Sequence, residues 1–291
     1  MKPDKNRYII IPLMGGLGNQ LFQFTTALHL RNIKGLNVAF TDWTKSYTFY
    51  NTKRQLEIDT LIKEAHFNLQ NAYPKSIARL ISIINPNIVY WESSPSKNLL
   101  LAEIQNQKIA VGFFQNADLV DSVSKDLLDL ISSSNFLPGL INKTPNEQVA
   151  VHVRYGDYLT DKKTRKFHGL TTKDYYISSV IGLATELNLK NVLFATDNTE
   201  QLHLDYHEFF SETKLSITVT KSMDPFVDFI KIANSRGIVT SNSSFSWWAA
   251  WFGHSLYNSR VIVPKPWLSE YSNYDQVIAK KTWTVRERNT K

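Results

Sequence analysis

Val149-Ala150-Val151-His152-Val153-Arg154-Tyr155-Gly156-Asp157-Tyr158 reads as a β-branched strand that runs into a polar turn. Residues 149–153 form the strand, and three polar side chains close it. Outward from here, short β-branched runs alternate with longer helical stretches. Strands are expected over 192–195, 215–219, 237–240 and 261–263, and helices over 172–187, 199–210, 225–234 and 244–252. The order is β-α-β-α-β-α-β-α-β, the pattern of a Rossmann-like parallel sheet.

The first half repeats the theme less regularly. A strand over 8–13, a helix over 19–34, a strand over 36–41, a strand over 109–114 and a helix over 117–133 are expected. The stretch 42–98 predicts irregular structure with short helices. Residues 134–148 hold Asn135, Pro138, Gly139, Asn142, Pro145 and Asn146, a linker composition. The expected domains are therefore 1–147 and 148–291.

Composition narrows the chemistry. The 291 residues are 43% hydrophobic and 20% charged, ordinary for a globular protein that can bury a sizeable core. The absence of cysteine excludes disulfides, thiolate metal sites and a cysteine nucleophile, and it fits a reducing cytoplasm. The apolar run after the basic start is short and leads into a glycine turn, so it is expected to be a strand rather than a secretion signal. A net charge of +7 and a pI near 9.3 suit a polyanion, an anionic membrane face or a phosphorylated small molecule. The positive residues are scattered, without the stripe of a nucleic-acid binder, so no nucleic acid is expected.

Ligands of such sheets bind beyond the carboxyl ends of the strands, and polar clusters fall there. In His152, Arg154 and Asp157, residues 152 and 154 share one side of the strand by its period of two. Arg154 is suited to grip a diphosphate and to neutralise charge on a departing nucleoside diphosphate. His152 would bond phosphate or hold Arg154. Asp157 would bond Arg154, act as a base or touch a sugar. The structural alternative is a buried Arg154–Asp157 salt bridge with His152 satisfied in the core. Thr196-Asp197-Asn198 offers a carboxylate for a ribose, a base edge or a metal, or else a helix cap.

Thr240-Ser241-Asn242-Ser243-Ser244-Phe245 places hydroxyls at a strand-to-helix junction, where they cap the helix or hold phosphate. Trp247, Trp248 and Trp251 behind it are expected in the core. Gly15-Gly16-Leu17-Gly18-Asn19-Gln20 opens the first helix of the chain, either as an anion site or as a tight turn. It is neither a full dinucleotide fingerprint nor a P-loop. No Asp-x-Asp triplet, zinc spacing or Gly-x-Ser-x-Gly elbow occurs, so no metal is expected.

Taken together, Gly15-Gly16-Leu17-Gly18-Asn19-Gln20-Leu21-Phe22-Gln23, Gly112-Phe113-Phe114-Gln115, His152 to Tyr158, Phe194-Ala195-Thr196-Asp197-Asn198 and Asn242-Ser243-Ser244-Phe245-Ser246-Trp247-Trp248-Ala249-Ala250-Trp251 resemble the bacterial α-1,2-fucosyltransferases of glycosyltransferase family 11. The resemblance runs from Gly15 to about Pro264. It implies an α/β GT-B fold, two Rossmann-like domains facing across a cleft, with the acceptor mainly on the first and GDP-fucose on the second. It implies inverting transfer of fucose to the 2-hydroxyl of a galactoside, without an essential metal or cofactor. Donor contacts would come from Gly16, Gly18, Asn19, Gln20, His152, Arg154, Asp197, Asn242, Ser243, Ser244 and Phe245, and acceptor contacts from Gln115 and Asp157. Arg154, Asp157 and His168 would be catalytic, with Asp157 the first candidate base and His168 the second. The pattern departs at Tyr155, where the family usually has a second arginine. Strand alternation turns residue 155 away from 152 and 154.

Partners then follow as GDP-fucose and a glycan acceptor, with a lipid-linked glycan among the candidates. A cytoplasmic protein in peripheral contact with the anionic inner membrane face fits the basic charge. A glycosyltransferase using another nucleotide sugar, a nicotinamide-dependent oxidoreductase on the same sheet, and a non-catalytic nucleotide- or carbohydrate-binding protein are the competing readings.

Overall fold

The computed structural model describes residues 8–45, 54–70, 75–85, 87–92, 108–140, 144–156, 162–220, 224–269 and 275–288. The chain folds as two compact α/β units, Met1–Phe136 and Leu137–Lys291. The division falls ahead of the expected 147/148 boundary because residues 137–140 belong to the second unit. Leu140 is fully buried, the Gly139 carbonyl accepts from Asn234 Nδ2, and the Leu140 carbonyl accepts from the Tyr257 hydroxyl.

The first unit runs β1 (Ile9–Leu13), α1 (Leu17–Asn32), β2 (Val38–Asp42), α2 (Asp59–Glu64), β3 (Asn68–Leu69), α3 (Lys75–Ile84), β4 (Val89–Trp91), β5 (Ile109–Val111), α4 (Ala117–Asp121) and α5 (Ser124–Ser133). Its sheet is parallel throughout, in the order β3-β2-β1-β5-β4. Helix α1 is buried on nearly every side, and in the core Phe24 stacks on Phe40 while Phe67 meets both edge-on. Buried Gln23 ties two strand ends, accepting from Met14 N–H and donating to the Gly112 carbonyl. The single helix expected over 117–133 is broken at Ser122 and Val123. There the Ser122 hydroxyl turns back to the Leu119 carbonyl and also meets His29 Nδ1.

The second unit runs β6 (Asn146–Val153), α6 (Lys162–His168), α7 (Lys173–Glu186), β7 (Asn191–Thr196), α8 (Thr199–Glu212), β8 (Ser216–Thr220), α9 (Pro225–Ala233), β9 (Ser235–Val239), α10 (Ser244–Tyr257), β10 (Arg260–Lys265), α11 (Asp275–Ile278) and β11 (Thr284–Glu287). Its six strands are parallel in the order β11-β10-β9-β6-β7-β8. Counted within the unit this is 6-5-4-1-2-3, the Rossmann order. Strand β6 is central, so its residues Val149, Ala150 and Val151 are fully buried. Side-chain caps start three helices: Thr172 on α7, Asn198 on α8 and Asp224 on α9. Trp247, Trp248 and Trp251 of α10 are completely buried, as expected of core residues. Two parallel Rossmann-like units make the chain α/β of the GT-B type. No helix among the described residues is long and apolar enough to cross a membrane.

Candidate functional site

Strand order reverses in the second unit between β6 and β9. A parallel sheet opens a crevice at the carboxyl ends of the two strands that flank such a reversal. The residues there are His152 at the end of β6 and Arg154 just after it, and Ser241 to Phe245 after β9.

His152 is 6% exposed, and its Nδ1 lies 2.9 Å from Ser241 Oγ across the strand pair. Ser241 Oγ in turn lies 3.3 Å from Ser246 Oγ, and the imidazole packs 5.2 Å from the Phe245 ring. Burial pushes the pKa of His152 down to about 4; Asp197 raises it and Arg154 lowers it further. The ring is therefore neutral at physiological pH, a hydrogen-bonding group rather than a second cation.

Arg154 finds its carboxylate on the neighbouring strand end. Nη1 lies 2.6 Å from Asp197 Oδ2, each side chain about a quarter exposed. The contact is off the N–H axis, so it is an ion pair without an aligned hydrogen bond to that oxygen. Asp197 Oδ1 accepts from Tyr155 N–H at 2.9 Å, which fixes the carboxylate. The capping role weighed for Asp197 falls instead to Asn198. Gly156, at φ +27°, lies under this pair: a Cβ there would come within 2.8 Å of Arg154 Cζ and Nη2 and of Asp197 Oδ2.

Tyr155 points the other way. It packs in the core with Tyr176, Phe194 and Tyr206, and its hydroxyl donates to Asp205 Oδ2 at 2.7 Å. Burial and that carboxylate push its phenol up. A side chain at 155 on this backbone is outside the Arg154 cluster. Asp157 lies outside the described residues.

Helix α10 supplies the other wall. Ser243 is its N-cap residue but gives no side-chain cap, and Ser244 and Phe245 are half-buried. The first-turn N–H groups lack partners within the helix, as at any helix start, and carry the positive end of its dipole. Asn242 is placed differently from a ligand-binding residue. Its Nδ2 donates to the carbonyls of His168 at 2.9 Å, Trp267 at 3.3 Å and Gly169 at 3.4 Å, while its Oδ1 accepts from Thr171 Oγ1. It anchors the turn before α7 to the mouth of the sheet.

Arg288, not among the expected site residues, shares that task. It is 2% exposed and donates to the carbonyls of His168 and Gly169 and to Ser269 Oγ. Gly169 has φ +71°, and a Cβ there would collide with Ser269 Oγ and Arg288 Nη2. In sequence Arg288 looks like one of the scattered basic residues near the end of the chain; only its burial distinguishes it.

His168 is the last residue of α6, with its ring edge-on to Phe167 at 4.9 Å. Burial, then Arg288 and Arg154, push its pKa down to about 4. At neutral pH such an imidazole is a weak proton acceptor, which speaks against the base role expected of it.

The glycine turn of the first unit is engaged by its own chain. Glu57 accepts from Leu17 N–H at the start of α1, and burial pushes its carboxyl up. A Cβ on Gly16 would meet Arg54 Nη1 at 3.5 Å and Glu57 Oε2 at 3.8 Å. Gln20 is fully buried, donating to the carbonyls of Gly15 and Gln55 and accepting from Glu57 N–H. Gly18 is buried as well. A phosphate at this helix start would meet the Glu57 carboxyl and the Arg54 guanidinium already there. Asn19 Oδ1 accepts from Gln115 Nε2 at 2.8 Å, joining the turns after β1 and β5. Beside them Glu92 Oε2 accepts from the N–H groups of Phe113 and Phe114, the latter at φ +53°, and burial pushes Glu92 up. Glu92 was missed because no sequence motif surrounds it. Among the described residues, no three His, Asp or Glu side chains gather as metal ligands would.

The family described as "Glycosyl transferase family 11" matches residues 90–287. The chain is 27% identical over 284 residues to an alpha-1,2-colitosyltransferase of Escherichia coli, covering 92% of this chain and 95% of that one. It is 22% identical over 292 residues to the Escherichia coli O-antigen biosynthesis glycosyltransferase WbnK, covering 88% and 94%. Among solved structures, a mutant of Arabidopsis thaliana FUT1 in complex with GDP matches at TM-score 0.47 and 12% identity, covering 90% of this chain and 71% of that one. POFUT1 in complex with GDP matches at 0.43 and 12%, covering 98% and 99%.

Proposed function

The chain belongs to glycosyl transferase family 11, and from that premise we propose that it transfers L-fucose from GDP-fucose to the 2-hydroxyl of a galactoside in a glycan acceptor, with inversion. The observation that carries the reading is the convergence of Arg154, its partner Asp197, neutral His152 and the start of α10 at the strand reversal of the second unit. One cation, a helix N-terminus and hydroxyls suit the diphosphate of a nucleotide sugar.

In the proposed reaction the acceptor oxygen attacks the anomeric carbon. The bond from that carbon to the diphosphate breaks, and its electron pair leaves with GDP. Negative charge grows on the diphosphate as an oxocarbenium-like sugar forms. Arg154, the first N–H groups of α10 and the hydroxyls of Ser243 and Ser244 stabilise that charge. Groups of this kind are typically worth ~3–4 kcal/mol each when removed. Asp157 takes the proton of the acceptor hydroxyl. Asp157→Asn should slow transfer more than about tenfold; a smaller loss removes Asp157 from the base role, and if His168→Ala is equally mild no side chain serves as a dedicated base.

The first unit, with Gln115 and Glu92, is assigned to the acceptor, and Asn19, expected at the donor, moves with them because its Oδ1 accepts from Gln115 Nε2. The donor contacts once expected of Gly16, Gly18 and Gln20 are replaced in this proposal by a structural role, because Glu57 already meets that helix start.

A second reading is favoured by one relative. Colitose is fucose without its 3-hydroxyl, and the relative at 27% identity is named for its transfer. Incubating the protein with GDP-fucose, GDP-colitose, GDP-mannose and UDP-sugars over a galactoside panel, with linkage analysis, separates the readings. An α-1,2-fucosylated product made in preference to the others supports the proposal. Preference for colitose moves the donor assignment, and no turnover with any donor overturns the enzyme reading.

A further inference from the structure

Helix α3, Lys75-Ser76-Ile77-Ala78-Arg79-Leu80-Ile81-Ser82-Ile83-Ile84, presents apolar side chains in two directions. Ala78 is fully buried in the cluster of Met14, Trp43, Val89, Ile109 and Val111, and Ile81 packs against that cluster. This stripe seats the helix on its sheet. On the other side Ile77, Leu80, Ile83 and Ile84 are 42%, 56%, 79% and 76% exposed. Ile77, Leu80 and Ile84 stand at i, i+3 and i+7, one ridge along the helix, with Ile83 beside it.

One apolar stripe suffices to fold a surface helix, so the second needs another cause. It is not ordinary scatter. The other exposed large apolar side chains among the described residues, Ile33, Leu69, Ile181, Leu204, Val227 and Val285, stand singly on separate elements. The helix carries no acid, and Lys75 and Arg79 fall between the buried stripe and the exposed one.

We propose that α3 lies in the plane of an anionic bilayer surface, with Ile77, Leu80, Ile83 and Ile84 in the acyl boundary and Lys75 and Arg79 among the headgroup phosphates. An amphipathic helix with cations on its flank is the form that interfacial binding takes. Charge selects the occupant. A symmetric pairing of two copies would set this cationic, acid-free face against itself. An anionic lipid surface instead complements the helix and the net charge of +7. The proposal is independent of which sugar the protein transfers.

Flotation of the full-length protein with vesicles of phosphatidylcholine alone, or of phosphatidylcholine with phosphatidylglycerol, tests it. The wild type should float with the anionic vesicles and much less with the neutral ones. The bound fraction should fall about fivefold or more in Arg79→Glu and in the double variant Leu80→Glu/Ile84→Glu. The thermal melt and transfer to a soluble acceptor should stay as in wild type, which shows that the variants are folded. Equal flotation on both vesicles, flotation on neither, or unchanged binding by the variants would overturn the proposal. So would a wild-type dimer in sedimentation that the double variant dissolves, since the face would then be an interface between copies.

Discussion

The guanidinium of Arg154 lies 2.6 Å from the carboxylate of Asp197, joining the ends of adjacent strands β6 and β7. Asp197 is itself held by Tyr155 N–H, so the arginine is aimed by a carboxylate fixed to the backbone. The pair is about a quarter exposed, and such ion pairs contribute at most ~1 kcal/mol to stability. Its worth is in orientation. Asp197→Asn keeps the bond from Tyr155 N–H and removes the charge that positions Arg154. Transfer should fall about tenfold, ~1.4 kcal/mol of barrier, while the melting temperature hardly moves. Turnover within twofold of wild type would show that Arg154 is aimed by something else.

Gly156→Ala tests the same pair from beneath. The added Cβ meets the ends of two flexible side chains, so those ends shift rather than the sheet. Transfer should drop about tenfold or more, with ~1–3 kcal/mol of backbone strain in urea unfolding. Full activity in this variant would mean that the observed pairing is not the working one.

Tyr155→Phe should separate stability from catalysis. It deletes the bond to Asp205, which Gln201 Nε2 still serves through the other oxygen. A loss of ~1–2 kcal/mol in unfolding free energy is expected, with kcat within about twofold. A large fall in kcat without a fall in stability would place residue 155 at the donor after all.

The buried imidazoles set a pH dependence. His152 and His168 titrate at about 4 in the fold against 6.5 for an unperturbed ring. Between those values the unfolded chain holds more protons, so stability falls as pH drops from about 6.5 toward 4. Each ring contributes on the order of 3 kcal/mol to that loss at its full extent. Above about pH 6.5 both states are neutral and the effect vanishes. His168→Asn should flatten the slope of unfolding free energy in urea between about pH 6.5 and pH 4.5, and an unchanged slope would contradict the assignment.

What the sequence made legible depends on whether a feature is periodic or relational. The strands of the second unit announce themselves as β-branched runs, and their ends as polar clusters. The turning away of residue 155 follows from alternation alone, and the structure bears it out at Tyr155. Partners are another matter. Asp157, three residues from Arg154, lies outside the described residues; the described partner of Arg154 is Asp197, forty-three positions on, because adjacent parallel strands bring distant ends together. Asn242 has a ligand-like setting in sequence, yet its amide is spent on the carbonyls of His168, Gly169 and Trp267. Arg288 and Glu57 belong to no motif, and their importance lies wholly in what they touch. The short strands β3, β4 and β11 carry too few residues for a pattern to register.

Arg154→Ala tests the central claim most directly. The account predicts that single-turnover transfer from GDP-fucose falls about a hundredfold or more, while the melting temperature and circular dichroism stay close to wild type. A folded variant that transfers at near-normal rate would contradict the claim that Arg154 carries the charge of the departing diphosphate.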